Sequence, residues 1–250
     1  MIEVGNLVKK YGDFTAVHGI SFKVPKGQIL GLLGPNGAGK STTMKILSCF
    51  MPATSGDVKV AGFDVFEDPM EVKKRVGYLP EQPPLYLEMR IKEYLEYVAA
   101  LKKVDKSKLR ERVEFVGEHC GLTKNFNRVI GTLSKGYRQR VGIAQALVHD
   151  PEVVILDEPT VGLDPVQIVE IRNLIKGLAG THTVILSTHI LPEVVMTCHK
   201  VVLINRGTVL ADDTVANLSK GGGGDLEQAY LRIVTQDLHN HPAAPQQPGT

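Results

Sequence analysis

Apolar positions change rhythm along the 250-residue chain. Ile2, Val4 and Leu7, then Ala16, Val17, Ile20, Phe22 and Val24, flank the turn Tyr11-Gly12-Asp13 and close at Pro25-Lys26-Gly27. This predicts an antiparallel strand pair over residues 2–24. Continuous apolar runs at Ile29–Leu33, Val153–Leu156 and Val184–Leu186 predict strands buried on both faces, as in a parallel sheet. Shorter strands are predicted at 57–62 and 76–79, the second ending in a proline-rich loop, Pro80 to Pro84. Between 90 and 150 the spacing becomes helical. Ile91, Tyr94, Leu95, Val98 and Leu101 form one stripe, Leu109, Val113, Val116 and Cys120 a second, and Val141, Ala144 and Leu147 a third. Val201–Ile204 and Thr208–Leu210 read as a hairpin around Arg206-Gly207, Gly221–Gly224 as a flexible linker, and Leu226–Val234 as a closing helix. The expected architecture is α/β: a mostly parallel sheet, an N-terminal antiparallel β-subdomain, and an all-helical insert. The insert, about 83–150, would separate core segments 1–82 and 151–220. From Gln236 onward the chain is polar and proline-rich, and 236–250 is expected to be a disordered tail.

Composition narrows the partners. At 43% hydrophobic the chain can fill a core, which excludes global disorder. A net charge of +2 argues against a strongly basic nucleic-acid binder. Cys49, Cys120 and Cys198 have neither metal spacing nor an even count, so reduced thiols in a cytosolic protein are expected. The opening MIEVGNLVKKYG carries no apolar signal segment, and no apolar run reaches the ~20 residues that span a bilayer. Any action at a membrane is then expected to run through a partner.

The chemistry-bearing stretch is Gly34-Pro35-Asn36-Gly37-Ala38-Gly39-Lys40-Ser41, between an apolar strand and a helix-like run to about Cys49. It fits the phosphate-loop pattern G-x-x-x-x-G-K-[ST]. Backbone N–H groups and the helix N-terminus would face phosphates, Lys40 would reach the β- and γ-phosphates, and Ser41 would ligate Mg²⁺. The strand Val153–Leu156 runs into Asp157 and Glu158 at the end where such sheets place ligands. Asp157 is placed for Mg²⁺, and Glu158 for polarising an attacking water. His189 ends the strand at 184–186 and is a fair contact for the γ-phosphate. Taken alone, Tyr11 reads as an ordinary strand-end tyrosine, although an aromatic there could stack on a base. Ser134 reads as a plain helix cap that also offers an anion site, and Asp164 as an N-cap before Pro165.

Taken together, these stretches resemble the nucleotide-binding subunit of an ATP-binding cassette (ABC) transporter. The resemblance runs from Ile2 to about Val234, making 1–235 one ABC ATPase domain. Tyr11 matches the adenine-stacking aromatic, and Gly34 to Ser41, with Thr42 following, matches Walker A. Leu133-Ser134-Lys135-Gly136-Tyr137 matches the signature L-S-G-G-Q, and Val153 to Glu158 matches Walker B with its catalytic glutamate. Gly162-Leu163-Asp164 matches the loop across the dimer seam, and His189 the switch histidine. Lys135 and Tyr137 depart from the signature's glycine and glutamine. The family's Mg²⁺-contacting glutamine falls on Glu81, with Gln82 beside it.

The resemblance implies ATP and Mg²⁺ as cofactors. It implies a head-to-tail dimer in which Ser134 and Gly136 of one copy close on the nucleotide held by the other. It also implies an integral membrane permease as second partner, with the 81–89 loop as the coupling element, and no nucleic acid. The subunit would be cytoplasmic, peripheral on the inner face of the cell membrane. The phrases Gly77-Tyr78-Leu79-Pro80-Glu81 and Leu226-Glu227-Gln228-Ala229-Tyr230-Leu231 resemble the bacterial exporter-type subgroup, which includes multidrug and gliding-motility systems. Soluble cassettes that act as mechanical clamps in translation or DNA repair form the alternative. A single cassette, no heptad array and near-neutral charge disfavour them.

Overall fold

The computed structural model describes residues 1–240. The chain forms strands β1 (Ile2–Tyr11), β2 (Phe14–Val24), β3 (Ile29–Leu33), β4 (Ser55–Val60), β5 (Phe63–Asp64), β6 (Val76–Leu79), β7 (Val153–Asp157), β8 (Thr183–Thr188), β9 (Lys200–Asn205) and β10 (Thr208–Thr214). The helices are α1 (Lys40–Leu47), α2 (Pro69–Arg75), α3 (Ile91–Leu101), α4 (Lys106–His119), α5 (Lys135–Leu147), α6 (Pro165–Gly177), α7 (Leu191–Thr197), α8 (Val215–Gly221) and α9 (Leu226–Asn240).

Two sheets form. The first is antiparallel in the order β2-β1-β4-β5, and the second has the order β10-β9-β3-β8-β7-β6. In the second, β3 pairs in parallel with β8 and β9, and β7 in parallel with β6 and β8, while β10 closes the edge antiparallel to β9. The strands β3, β7 and β8 are buried at every position, which is why they read as continuous apolar runs. One face carries α1 and packs toward the first sheet, with Leu30, Leu32, Met44, Ile46 and Ile155 in a common core. The other face packs under α3, α4 and α5, where Leu95, Val113, Val116, Val141 and Ile143 meet Val154, Leu156 and Leu186. The helical insert thus shares a core with the sheet. Gly77 marks the closest approach: a Cβ there would lie 2.0 Å from the Ala146 carbonyl oxygen of α5.

Two local expectations change. Gly221–Gly224 forms a hydrogen-bonded turn, with the Gly222 and Gly224 N–H groups donating to the Ser219 carbonyl. It joins α8 to α9 as a tight corner. The closing helix runs to Asn240, so residues 236–240 are helical where a disordered tail was expected. Leu226 and Ala229 bury one face of α9, and Asp237 accepts a hydrogen bond from Asn205 Nδ2 at 2.7 Å, which fixes the last turns. The remainder of that tail, 241–250, lies outside the described residues. Helices α2, α7 and α8 were not legible. They are a turn or two long, and α2 and α7 carry a proline in the first turn, which punctuates like a loop but is favoured there.

Candidate functional site

A cavity of about 410 Å³ opens at the C-terminal ends of β3, β6, β7 and β8. Its walls are Tyr11, Phe14 and Ala16 of the first hairpin, the loop Asn36–Thr42, Glu81, Glu158, Val161 and His189. Most of the residues singled out from sequence therefore converge on one place. Gln82 is absent from the walls while Glu81 is present. Ser134, Lys135, Gly136, Tyr137 and Asp164 lie elsewhere.

The phosphate-loop backbone is shaped by what surrounds it. Gly39 has φ +97°, and a Cβ on it would meet the Ala16 carbonyl at 2.7 Å. Gly34 lies against the Ile204 carbonyl, which a Cβ would approach to 2.0 Å. Only glycine fits at either position. Helix α1 starts from Gly39 with no side-chain cap and no acid in its first turn. Its first-turn N–H groups therefore face the cavity unneutralised, the arrangement that receives an anion.

Lys40 is buried, 5% exposed. Its Nζ donates to the Gly34 carbonyl at 2.7 Å and the Pro35 carbonyl at 3.1 Å, and pairs with Glu158 Oε1 at 3.3 Å. The second carboxylate oxygen of Glu158 lies 3.0 Å from His189 Nδ1. Glu158 thus bridges a buried ammonium and a half-exposed imidazole. Its own backbone is left-handed at φ +47°, an uncommon conformation for a residue with a side chain. Ser187 holds it there: the Glu158 N–H donates to Ser187 Oγ at 2.9 Å, and that hydroxyl donates to Asp157 Oδ1 at 2.6 Å.

Asp157 also accepts from Ser41 Oγ at 3.0 Å. Burial pushes the Asp157 carboxyl above its ordinary range, and the Ser187 and Ser41 hydrogen bonds oppose that shift. A hydroxyl and a buried carboxylate in contact, at the rim of an anion cradle, form an oxygen donor set suited to a hard divalent cation.

On the outer wall, Tyr11 and Phe14 are directly paired across the β1–β2 hairpin and both are exposed, Phe14 by 65%. Phe14 was missed from sequence. Its signal was present, since a second aromatic across a two-residue turn returns to the same edge of the sheet. Ser187 was passed over as part of a strand end.

The signature residues sit at the start of α5. Ser134 caps that helix, accepting from the Tyr137 N–H at 3.4 Å, and is exposed with Lys135. Lys135 folds onto the neighbouring loop, where its Nζ would lie 2.1 Å from a Cβ placed on Gly162. Gly136 packs against Gln167 of α6. Asp164 caps α6 through the Gln167 N–H at 2.9 Å. The two loops thus form one continuous surface, apart from the cavity.

This geometry defines a phosphate-loop nucleotide-binding cassette. The family model "ABC transporter" matches residues 17–161, and the chain belongs to that family. It is 37% identical over 249 residues to the linearmycin resistance ATP-binding protein LnrL of Bacillus subtilis, covering 96% of this chain and 80% of that protein. It is 36% identical over 229 residues to the bacitracin transport ATP-binding protein BcrA of Bacillus licheniformis, covering 91% and 74%. Among solved structures, a dimeric ATP-binding cassette in a post-hydrolysis state with ADP and Pi superposes with a TM-score of 0.77 at 25% identity, covering 86% of this chain and 99% of that one. The chain is an ATP-binding, ATP-hydrolysing subunit of an ABC transporter. The family is that of ABC transporters and BcrA is a transport ATP-binding protein, which supports the transporter reading over the clamp alternative. No helix among the described residues is long and apolar enough to cross a membrane.

Proposed function

We propose that the cavity is half of a composite ATPase site, and that ATP-dependent closure of a head-to-tail dimer drives a membrane permease. The observation that carries this reading is the separation within one chain. Lys40, Ser41, Asp157, Glu158 and His189 stand together, while Ser134 and Lys135 stand exposed on another surface, with Gly136 packed beneath them against Gln167. The signature can act on a nucleotide only from a second copy.

Tyr11 and Phe14 receive the adenine face. The N–H groups of Asn36–Thr42 and Lys40 neutralise the phosphates. Ser41, Asp157 and Glu81 would hold Mg²⁺, which would offset charge on the phosphate oxygens. Lys40 must release Glu158 to reach a phosphate, and the freed carboxylate accepts the proton of the attacking water. His189 orients that carboxylate. Lys135 leaves Gly162 and adds positive charge at the partner's phosphates, with Tyr137 and Asp164 lining the seam. The subunit works on the inner face of the membrane. The roles that the relatives are named for, linearmycin resistance and bacitracin transport, support export as the direction.

The test is Ser134→Arg, which puts a bulky cation on the signature surface and leaves the cavity untouched. Hydrolysis should be lost with nucleotide binding by the monomer intact. Wild-type hydrolysis in that variant would refute the composite site.

A further inference from the structure

Helix α7 begins immediately after the His189 loop and carries one buried acid, Glu193, 5% exposed. Neither carboxylate oxygen is idle. Oε1 accepts from the Thr160 hydroxyl. Oε2 accepts from the Thr188 hydroxyl at 2.7 Å. Thr160 lies on the turn that Glu158 opens, and Thr188 immediately precedes His189. The Thr188 hydroxyl accepts in turn from the Ile190 N–H at 3.0 Å, so it braces both sides of His189. Arg172 of α6 lines the same small cavity as Glu193.

The two residues joined by this carboxylate belong to different loops, leaving β7 and β8. Across the sheet those strands are fixed by their ladder, including the pairing of Asp157 with Ser187. Beyond the ladder no strand pairing joins the loops, and the 3.0 Å contact between Glu158 and His189 depends on how each one turns. Glu158 sits in a left-handed conformation that only its surroundings maintain. Ser187 restrains it from the strand side, and the Thr160–Glu193–Thr188 bridge restrains the same turn from the far side.

We propose that Glu193 is a positioning residue for hydrolysis: by gripping Thr160 and Thr188 together, it fixes the loop of Glu158 against the loop of His189. It is not among the residues that line the nucleotide cavity. Its removal should therefore spare binding and damage turnover. This rests on the reading of Glu158 and His189 above.

The experiment compares Glu193→Ala, Glu193→Gln and Thr160→Val in the full chain. A misplacement of about 1 Å can cost on the order of a hundredfold in rate, so Glu193→Ala should lower kcat at least about tenfold. Affinity for a non-hydrolysable ATP analogue should stay within about threefold of wild type. The carboxamide of Glu193→Gln can accept from one hydroxyl and donate to the other, so it should recover kcat to within about threefold. Thr160→Val cuts one arm while keeping the shape, and should fall with Glu193→Ala. If Glu193→Ala does not fold, Thr160→Val decides. A second readout needs no nucleotide. The His189 imidazole nitrogens, observed by ¹H–¹⁵N correlation, should shift in Glu193→Ala and Thr160→Val and return in Glu193→Gln.

Wild-type kcat with unshifted His189 resonances in Glu193→Ala, or in Thr160→Val should that one alone fold, would overturn the proposal. So would loss of kcat and analogue affinity in step, unrescued by Glu193→Gln. Glu158→Gln, assayed beside them, keeps the two readings apart: turnover in that variant removes the role of Glu158 whatever Glu193 does.

Discussion

Replacing Glu158 by glutamine should separate three quantities that usually move together. Glu158 pairs with buried Lys40 at 3.3 Å, both side chains under a tenth exposed. At an effective dielectric near 20, unit charges at that distance attract by about 5 kcal/mol, an upper bound on the pair. Glutamine keeps the shape and can still accept from Lys40, and the Gly34 and Pro35 carbonyls remain. The net loss is then nearer the desolvation penalty of an under-satisfied buried group, about 2 kcal/mol. For a chain of this size that lowers the melting temperature by about 4–8 °C. The same 2 kcal/mol is no longer spent in parting Lys40 from Glu158, so a triphosphate analogue should bind roughly 10- to 30-fold more tightly. Loss of the base should cut turnover by about 10²- to 10⁴-fold. Scanning calorimetry without nucleotide, analogue titration and a phosphate-release assay measure the three. The titration is done in the Ser134→Arg background, so that dimer closure adds nothing. An unchanged melting temperature and unchanged affinity would refute the Lys40–Glu158 restraint. Turnover within tenfold of wild type would refute the role of the carboxylate.

Three further outcomes follow from the geometry. Gly77→Ala forces a Cβ to 2.0 Å from the Ala146 carbonyl, so β6 and α5 must separate; urea unfolding should show a loss of about 1–3 kcal/mol, and an unchanged midpoint would contradict that packing. His149 has Nε2 on the Val76 carbonyl and a buried Nδ1 without a partner, and burial holds its pKa near 3 against an ordinary 6.5. The unfolded chain takes up a proton there that the folded chain refuses, so stability is full above about pH 6.5 and is lost as pH falls toward 3. Between pH 7 and 5 wild type should lose about 1–2 kcal/mol more than His149→Gln in urea titrations, and parallel curves would contradict it. Finally, Tyr11→Ala and Phe14→Ala should each weaken ATP by roughly 0.5–1.5 kcal/mol while leaving inorganic triphosphate unaffected, and equal losses for both ligands would remove the aromatic pair from base contact.

The sheet was legible because burial on both faces leaves uninterrupted apolar runs at Ile29–Leu33 and Val153–Leu156, and helical spacing in α3–α5 is equally hard to disguise. Short α7 left no such trace, and Glu193 on it looks like any helix acid until the chain folds it under Thr160 and Thr188. Contiguous motifs placed Lys40, Ser41, Asp157 and Glu158. Ser187 and Glu193 meet the β7 end through contacts between distant segments, which local spacing does not encode, whereas Phe14 stands directly across the β1–β2 turn from Tyr11 and was locally legible. Which of Glu81 and Gln82 lines the cavity likewise depends on the fold of the loop after β6.

The composite site is tested most directly by mixing two inactive chains. Lys40→Ala damages the phosphate loop and Ser134→Arg the signature surface. In a head-to-tail dimer of one of each, one site carries both lesions and the other carries neither. Random pairing makes half the dimers mixed, each with one intact site, so the mixture should regain about a quarter of wild-type ATPase activity. Activity that remains at the sum of the two separate variants, with mixed dimers present, would contradict a site shared between copies.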